Sequence, residues 1–536
     1  MFIEDIKNDF YNVLLGNRVL LLVHYDVDAV CACKILQDLF QCDNISYTLV
    51  PVGGISELKT AYEENNEEIK YVVLVNCGGT VDLVDILQPE EDVVFFVLDS
   101  HKPTDICNVY SDGQVRLVYK DEEENIPNFD DIFRDDDDEE NDEELEGMEG
   151  LEEVVRKRKE RKAWEERRHT LMFNYTQFSY YGKPSACVAL EVAERTRGAG
   201  VSALWAAAVA SASHDALALR PAARALLDAE PLHRRAAVAQ ASAPDAAGVC
   251  GERDALVPLY RWWSLEEALR HAAGVGARLR LHTAAPRLRQ LLADMGVPLQ
   301  QARQHFRAMD VELRRSWAEA LAAAAPRYGL PDPARLTFVL RRPHAPPLAS
   351  VDHVYAIMAL LEHESMPRAE GFQLALCSLG VAGGVGRAAG EALAAGVRGA
   401  QRALAAASRA AAAAITARAL RLAGPFAYFI IPEGSPEAAL LAGPLWLRET
   451  ARWAAAAGGG SRPLVCAAPL PHDRCLLLGL PPRAHQEPRN LFGAAFEQAA
   501  ARSGADVSLD LVDTSVVSLP AAQRAQFLDA LTALLA

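Results

Sequence analysis

The sequence predicts an α/β protein in which a parallel-sheet domain is followed by an all-helical insertion, a long connecting helix and a smaller C-terminal α/β domain. Three observations carry this reading. Four apolar runs of strand length alternate with helix-period segments in the first hundred residues, the pattern from Phe173 to about Pro367 is helical, and strand-like runs return after the pair Gly424 and Pro425. A chain of 536 residues is several times longer than one ordinary domain, so several cores are expected.

VLLLVHYD, from Val19 to Asp26, is a continuous apolar run, and AVCACKILQDLF, from Ala29 to Phe40, has helical spacing. ISYTLVPV, YVVLVN and VVFFVLD repeat the theme, with SELKTAYEENN between the first two and VDLVDIL between the last two. Buried runs separated by helices imply a parallel sheet covered on both faces. The charge then changes abruptly. Asp121 to Glu153 holds 19 acids against one base, Arg134, a local charge of -18 that equals the net charge of the whole chain. The remainder is therefore neutral, which excludes a surface that grips nucleic acid everywhere and leaves only a local groove. Such a composition buries too little apolar surface to offset ordering entropy, so the run reads as a disordered acidic loop. The eight Lys or Arg between Arg156 and Arg168 read as a solvated basic helix directly after it.

In the helical region Ser264 stands three residues before Glu267, a capping box that starts a helix. Tyr260, Trp262 and Trp263, just before it, read as core rather than as a platform for bases. A long helix, about Ala388 to Leu422, is stopped by Gly424 and Pro425, with Gly390, Gly396 and Gly399 weakening its first half. FAYFIIP, LVCAAPLP and CLLLGLP are strand-like, whereas NLFGAAFEQAA and AAQRAQFLDALTALL are helix-like. Ten scattered cysteines with no CxxC pair suggest neither a zinc ribbon nor a disulfide framework, and Cys31 and Cys33 read as small apolar residues. The acidic start MFIEDIKNDFYNVLLGN does not read as a targeting peptide, and no window reaches the about 18 apolar residues of a spanning helix. The chain reads as soluble, with no membrane partner. No GxxxxGK[ST] occurs: Gly182 and Lys183 are followed by Pro184, and the cluster from Gly380 to Gly386 lacks a Lys, which excludes a P-loop motor.

His24, Asp26 and Asp28 stand at and just past the end of the first strand, and Asp99 and His101 end the fourth. Ligand sites in open parallel sheets gather outside the carboxyl ends of the strands, so the two groups should meet. Converging carboxylates and imidazoles suit a pair of divalent metals that hold a nucleophilic water against phosphate. The motifs resemble those of the DHH phosphoesterase superfamily, which includes the RecJ exonucleases, and the departures matter. The carboxylate pair matches Asp26 and Asp28, but Asn76 in VNCGG stands where the resemblance implies an Asp. The third motif reads Asp99, Ser100, His101 in place of Asp-His-His, and Ser213 aligns with the fourth motif's Asp while Asp215 lies two positions away. Two divalent ions about 4 Å apart are tolerated only between bridging carboxylates, so losing two or three ligands should abolish the pair. The sequence therefore reads as a phosphoesterase fold with a vestigial site at Asp26, Asp28, Asp99 and His101, no metal, no catalytic residue and no cofactor.

VDAVCACKILQDLFQCDNISYTLVPVGG, VNCGGTVDLVDILQP and FFVLDSHKP, with YRWWSLEEAL, LLADMGVPLQQARQHFRAMDVELR and NLFGAAFEQAA further on, resemble the signatures of the cell division control protein 45 family over essentially the whole chain. The resemblance implies a RecJ-like DHH sheet domain over 1–120, an acidic then basic and partly disordered insertion over 121–168, and the rest of the DHH-like domain over 169–235. It continues with a helical insertion module over 236–367, connecting helices over 368–424 and a C-terminal DHHA1-like α/β domain over 425–536. It also implies a non-catalytic, nuclear subunit of the eukaryotic replicative DNA helicase, required for initiation and elongation. That subunit joins the MCM helicase hexamer to the GINS complex, works with replication-initiation factors and engages single-stranded DNA. Candidate bases for the strand lie along the connecting helix at Arg398, Arg402, Arg409, Arg418 and Arg421, beside a groove between the N-terminal and C-terminal domains. The alternatives are an active Mn-dependent RecJ-like single-strand exonuclease, which needs Asn76 and Ser100 as ligands, and an adaptor that never touches DNA.

Overall fold

The computed structural model describes residues 1–111, 113–133, 148–242, 247–343, 345–383, 386–458, 461–482 and 489–536. Its first sheet contains β1 (Arg18–His24), β2 (Ser46–Val52), β3 (Tyr71–Val75), β4 (Val94–Leu98) and β5 (Val115–Leu117), all parallel, in the order β2-β1-β3-β4-β5. Leu21 pairs with Leu49 on one side and with Val73 on the other. Successive side chains of a strand point to opposite faces. Val19, Leu21 and Val23 therefore pack with α1 (Val27–Cys42), while Leu20 and Leu22 meet Leu58, Ala61 and Tyr62 of α2 (Ile55–Asn65). Strand order reverses between β1 and β3, which opens a crevice at their carboxyl ends.

The acidic run does not behave uniformly. Residues 121–133 pack onto the sheet domain, with Asp121 and Glu124 buried and a helical turn at Phe129–Ile132. Glu124 pairs with Lys102 (2.9 Å) and accepts from the Thr104 amide (2.5 Å) and the Tyr175 hydroxyl (2.8 Å). The expectation of a disordered loop beginning at residue 121 is corrected for this part, because a carboxylate with a cation and two donors can be buried where an unpartnered one cannot. The run from 134 to 147 lies outside the described residues. The basic cluster follows on α3 (Met148–Thr176), where the described bases between Arg156 and Arg168 are exposed.

Two further helices, α4 (Ser185–Thr196) and α5 (Val201–Ala216), complete the face shared with α1; α5 is buried almost all round, which its Ala content allows. After α6 (Ala222–Ser242) comes the insertion module. Its interior is helical, with α7 (Leu265–His271), α8 (Pro286–Asp294) and α9 (Val311–Ala324) closing on Tyr260, whose ring lies 4.8 Å from Phe306 and 4.5 Å from Trp317. The Ser264 hydroxyl accepts from the Glu267 amide (3.2 Å) at the start of α7. The module is not wholly helical. An antiparallel sheet of β6 (Gly248–Ala255), β7 (Ala334–Arg342) and β8 (Ala345–Ala349), in the order β8-β7-β6, brackets it. β6 reads GVCGERDA, too charged to show a strand period, and its pairing with β7 supplies what propensity does not.

Beyond the module, α10 (Ser350–Leu361) and α11 (Arg368–Leu379) lead into α12 (Gly386–Thr416). A Cβ at Gly396 would stand 2.6 Å from the Ala356 carbonyl oxygen, so this glycine lets α12 approach α10 closely instead of weakening it. The helix stops at Thr416, six residues before the predicted Leu422. Arg418 adopts a left-handed conformation (φ 53°) and the Ala419 amide reaches back to the Ala414 carbonyl (2.8 Å), which closes the helix end. Arg421 consequently lies on β9 (Arg421–Ala423), the edge of a mixed sheet β9-β10-β11-β12-β13 completed by β10 (Phe426–Ile430), β11 (Leu464–Leu470), β12 (Arg474–Leu480) and β13 (Val516–Pro520). One face of this sheet packs under α13 (Pro444–Gly458) in a core continuous with that of the first domain, and the other is covered by α14 (Phe492–Ser503) and α15 (Arg524–Leu535). Cys31 and Cys33 are buried on α1 with free thiols. No single helix among the described residues is long and apolar enough to cross a membrane.

Candidate functional site

β1, β3 and β4 end at one crevice, and each delivers polar side chains there as the chain leaves the sheet. Asp26 caps α1 by accepting from the Ala29 amide (2.7 Å). Asp28, in the first turn of α1, is buried and accepts from the Ser185 and Ala186 amides (2.8 and 2.9 Å) at the start of α4. Asn76 follows β3 in a left-handed conformation (φ 52°) that Asn tolerates, and it ties the corner together. Its amino group donates to both Asp26 oxygens (3.2 Å each) and to Asp28 (3.0 Å), while its carbonyl oxygen accepts from the Ser185 hydroxyl (2.6 Å), the Ser100 amide (3.1 Å) and the Ser100 hydroxyl (3.3 Å). After β4, Asp99 accepts from the Gly79 and His101 amides (2.9 Å each) and pairs with the His101 ring (2.8 Å).

Burial, and then the charge of Asp28, push the Asp26 carboxyl up to about 7, and burial raises Asp28 as well. Burial drives His24 down to about 3. His101 moves the other way: burial opposes its charge, but Asp99 lifts it to about 9, and the same pairing holds Asp99 below the ordinary carboxylate range. From α5 the side chain that reaches the corner is His214, not the Ser213 of the sequence alignment. His214 Nε2 lies 3.9 Å from Asp28 and its ring 5.8 Å from that of Tyr181, whereas the Ser213 hydroxyl donates back to the Ala210 carbonyl (2.7 Å) and Asp215 pairs with Arg335. Burial first, and then Arg220 and His101, push His214 down to about 3. Adjacent helical positions point about 100° apart, so a one-residue shift in alignment decides which side chain enters the site.

These residues do not fit a pair of divalent metals. Asp28 spends both oxygens on amide donors, Asp99 is engaged by His101, and the Asn76 amino group bridges Asp26 and Asp28 in the role a shared cation would play. Asp26, Asp28, Asn76, Ser100 and Ser185 form one hydrogen-bonded network of protein groups, beside which the buried His214 Nδ1 has no partner among the described residues.

Beside this corner, between the first sheet domain and the C-terminal domain, lies a cleft of about 410 Å³. Its walls include His101, Lys102 and Tyr181 from one side and Arg448, Glu497 and Asp513 from the other. Arg448 pairs with Asp513, which also accepts from the Tyr181 hydroxyl (3.1 Å). Neither Arg448 nor Asp513 sits in a motif, so nothing in the sequence marked them; the same holds for Glu124. The five arginines singled out from the sequence do not line this cleft. Arg398, Arg402 and Arg409 occupy the exposed face of α12, Arg402 is held by Glu364 and Arg409 by Glu437 (3.1 Å), and Arg418 and Arg421 lie past the helix end. The expectation of a basic interdomain groove along this helix is therefore corrected: the buried face of α12 packs on α10 and α13, which turns its arginines away from the cleft.

A model of the CDC45 family matches residues 19–154 and 130–534. The chain is 37% identical over 577 residues to the cell division control protein 45 homolog of Mus musculus, covering the whole of both. The crystal structure of CDC45 from Entamoeba histolytica superposes over the whole of both chains with a TM-score of 0.73 at 16% identity, a likeness of fold. The crystal structure of exonuclease RecJ bound to manganese aligns over 98% of this chain and 92% of its own with a TM-score of 0.45 at 12% identity.

Proposed function

The chain belongs to the CDC45 family of cell division control and DNA replication factors, and from that premise we propose that it is a non-catalytic subunit of the eukaryotic replicative DNA helicase. In this reading it works in the nucleus in initiation and elongation, joins the MCM hexamer to GINS, is recruited with replication-initiation factors, and leaves ATP hydrolysis to MCM. The observation that carries the non-catalytic part is the Asn76 side chain, whose amino group satisfies Asp26 and Asp28 together and so uses the carboxylates that metal-assisted phosphoester hydrolysis would need. Engagement of single-stranded DNA is weak in the isolated protein, since the body of the chain is neutral and counterion release scales with the number of phosphates neutralised. Arg398, Arg418 and Arg421, exposed on and just past α12, are candidate bases for it.

Two assays on the purified protein test this. Mixed with recombinant MCM and GINS, it should co-elute as one assembly that unwinds forked DNA, while the protein alone should leave 5′-labelled single-stranded DNA intact in Mn²⁺. Cleavage that disappears in an Asp26→Ala, Asp99→Ala double variant would make the exonuclease reading correct, and failure to co-elute with either partner would remove the scaffold reading.

A further inference from the structure

The interdomain cleft has two properties that the family reading leaves unused. Both of its flanks are closed by backbone pairing between the domains. On one flank the Ile55 amide donates to the Asp510 carbonyl (2.8 Å), and the Asp510 carboxylate caps α2 by accepting from the Ser56 amide (2.6 Å) and hydroxyl (2.7 Å). On the other, Ser179 and Asn490 exchange both amide–carbonyl bonds (2.9 and 2.8 Å). Ile55, Leu511, Ser179 and Asn490 all line the cleft, so the two domains are tied together at its walls and a bulky chain cannot enter from either flank while these pairings hold. The second property is the charge. Each cation on the walls is already engaged: His101 by Asp99 (2.8 Å), Lys102 by Glu124 (2.9 Å) and Arg448 by Asp513. Glu497 has no cation partner among the described residues, while the Asp105 carboxylate is taken up by the Cys107 amide (2.8 Å) in capping the turn Ile106–Tyr110. The charge free to meet a ligand is thus the negative Glu497, on walls that mix apolar residues such as Met172 and Leu511 with hydroxyl side chains such as Thr176 and Thr514 and the Tyr180 ring. The chain's own Arg489, at the rim, lies over the Tyr180 ring at 5.9 Å, which shows the kind of contact this wall makes with a cation.

We propose that the cleft is a blind docking pocket for a peptide segment of a protein partner, which inserts an apolar side chain flanked by Lys or Arg, and that it is not a path for nucleic acid. The apolar side chain fills the space between Met172 and Leu511, and the flanking cation meets Glu497 and the tyrosine face. A volume of about 410 Å³ is within the range of pockets that enclose a few side chains. Phosphodiester groups would meet Glu497 and, among the described wall residues, no unpaired cation, which opposes their entry.

The test is selection of a random heptapeptide library on the immobilised full-length protein, followed by anisotropy with a labelled selected peptide and with a labelled oligothymidine. Enriched sequences should pair Leu, Phe or Trp with Lys or Arg. Ala494→Trp, which fills the cleft, and Glu497→Lys, which reverses an exposed wall charge, should each weaken the peptide about tenfold or more while leaving oligothymidine binding unchanged. Failure to enrich, enrichment of acidic peptides, or a peptide indifferent to Glu497→Lys would overturn the proposal; so would loss of oligothymidine binding in Ala494→Trp, which would make the cleft the strand's path. Should Ala494→Trp fail to fold, the exposed Glu497→Lys variant decides alone. None of these outcomes bears on co-elution with MCM and GINS, so the two readings fail separately.

Discussion

The first sheet domain buries carboxylates in two places and stabilises them by opposite means. At the strand-end corner, Asp26 and Asp28 are satisfied by amide and side-chain N–H groups with no cation in contact, and both carboxyls are pushed up. At the start of the acidic run, Glu124 meets Lys102 directly, and that charge, with the Thr104 amide, holds it below its ordinary value despite burial. The difference shows what a buried carboxylate needs. Dipoles alone keep it hydrogen-bonded but leave it reluctant to ionise, whereas one cation in contact reverses the balance. The strand-end corner holds its acids without a cation in contact, whereas a segment that looked like a solvated acidic loop is anchored by one.

The largest effect should come from removing the cationic pairing. Glu124→Ala leaves Lys102 buried without a counter-charge and strands the Thr104 amide, so denaturant unfolding should show a loss of about 3–5 kcal/mol. Lys102→Met combined with Glu124→Leu should recover most of it. A loss well under 1 kcal/mol in the single variant would mean that residues 121–133 are not integral to the fold.

Next in size is Asn76→Asp. Three hydrogen bonds from the amino group become contacts between carboxylates, at a cost of about 2–4 kcal/mol at pH 8 that shrinks toward pH 5 as the carboxyls take up protons. An unchanged midpoint at both pH values would show that the corner does not depend on the amide. Asp26→Asn should do the reverse and stabilise by roughly 1–3 kcal/mol at pH 8. Asp26 is raised in the folded state from 3.8 to about 7, so its contribution is fully favourable below about pH 3.8 and is lost as pH rises through 7. Glu124 is depressed below 4.5, so its contribution is present at neutral pH and is lost as pH falls below that value. Thermal melts of Asp26→Asn and Glu124→Gln from pH 4 to 8 should therefore both depart furthest from the parent at pH 8 and in opposite directions, Asp26→Asn melting above it and Glu124→Gln below. The smallest effect belongs to the surface. Arg402→Ala and Arg409→Ala break exposed pairs with Glu364 and Glu437 and should each cost less than about 1 kcal/mol.

The parallel sheet was legible because strands covered on both faces leave unbroken apolar runs, and HxDxD at β1 with DxH at β4 marked the corner. Asn76 and Ser100 were legible as departures from a motif, but not what they do: that Asn76 joins the two carboxylates depends on the distance between β1 and β3 ends. His214 was hidden by helix phase, although a lone titratable ring on an Ala-rich helix was a usable signal. β6 was hidden by its charges, and Glu124 by its company, since composition averaged over the whole acidic run cannot single out the one member that finds a lysine. The end of α12 was misplaced because apolar residues continue past Thr416 with nothing in their pattern to mark the left-handed turn at Arg418.

The central claim is that protein donors, not metals, satisfy the strand-end carboxylates. Titration of Mn²⁺ into the purified full-length chain, followed by the electron paramagnetic resonance signal of the free ion, tests it most directly. The free-ion signal should match that of buffer at equimolar metal, with the Asp26→Ala, Asp99→Ala double variant indistinguishable from the parent. Stoichiometric loss of the signal in the parent, restored in the double variant, would contradict it.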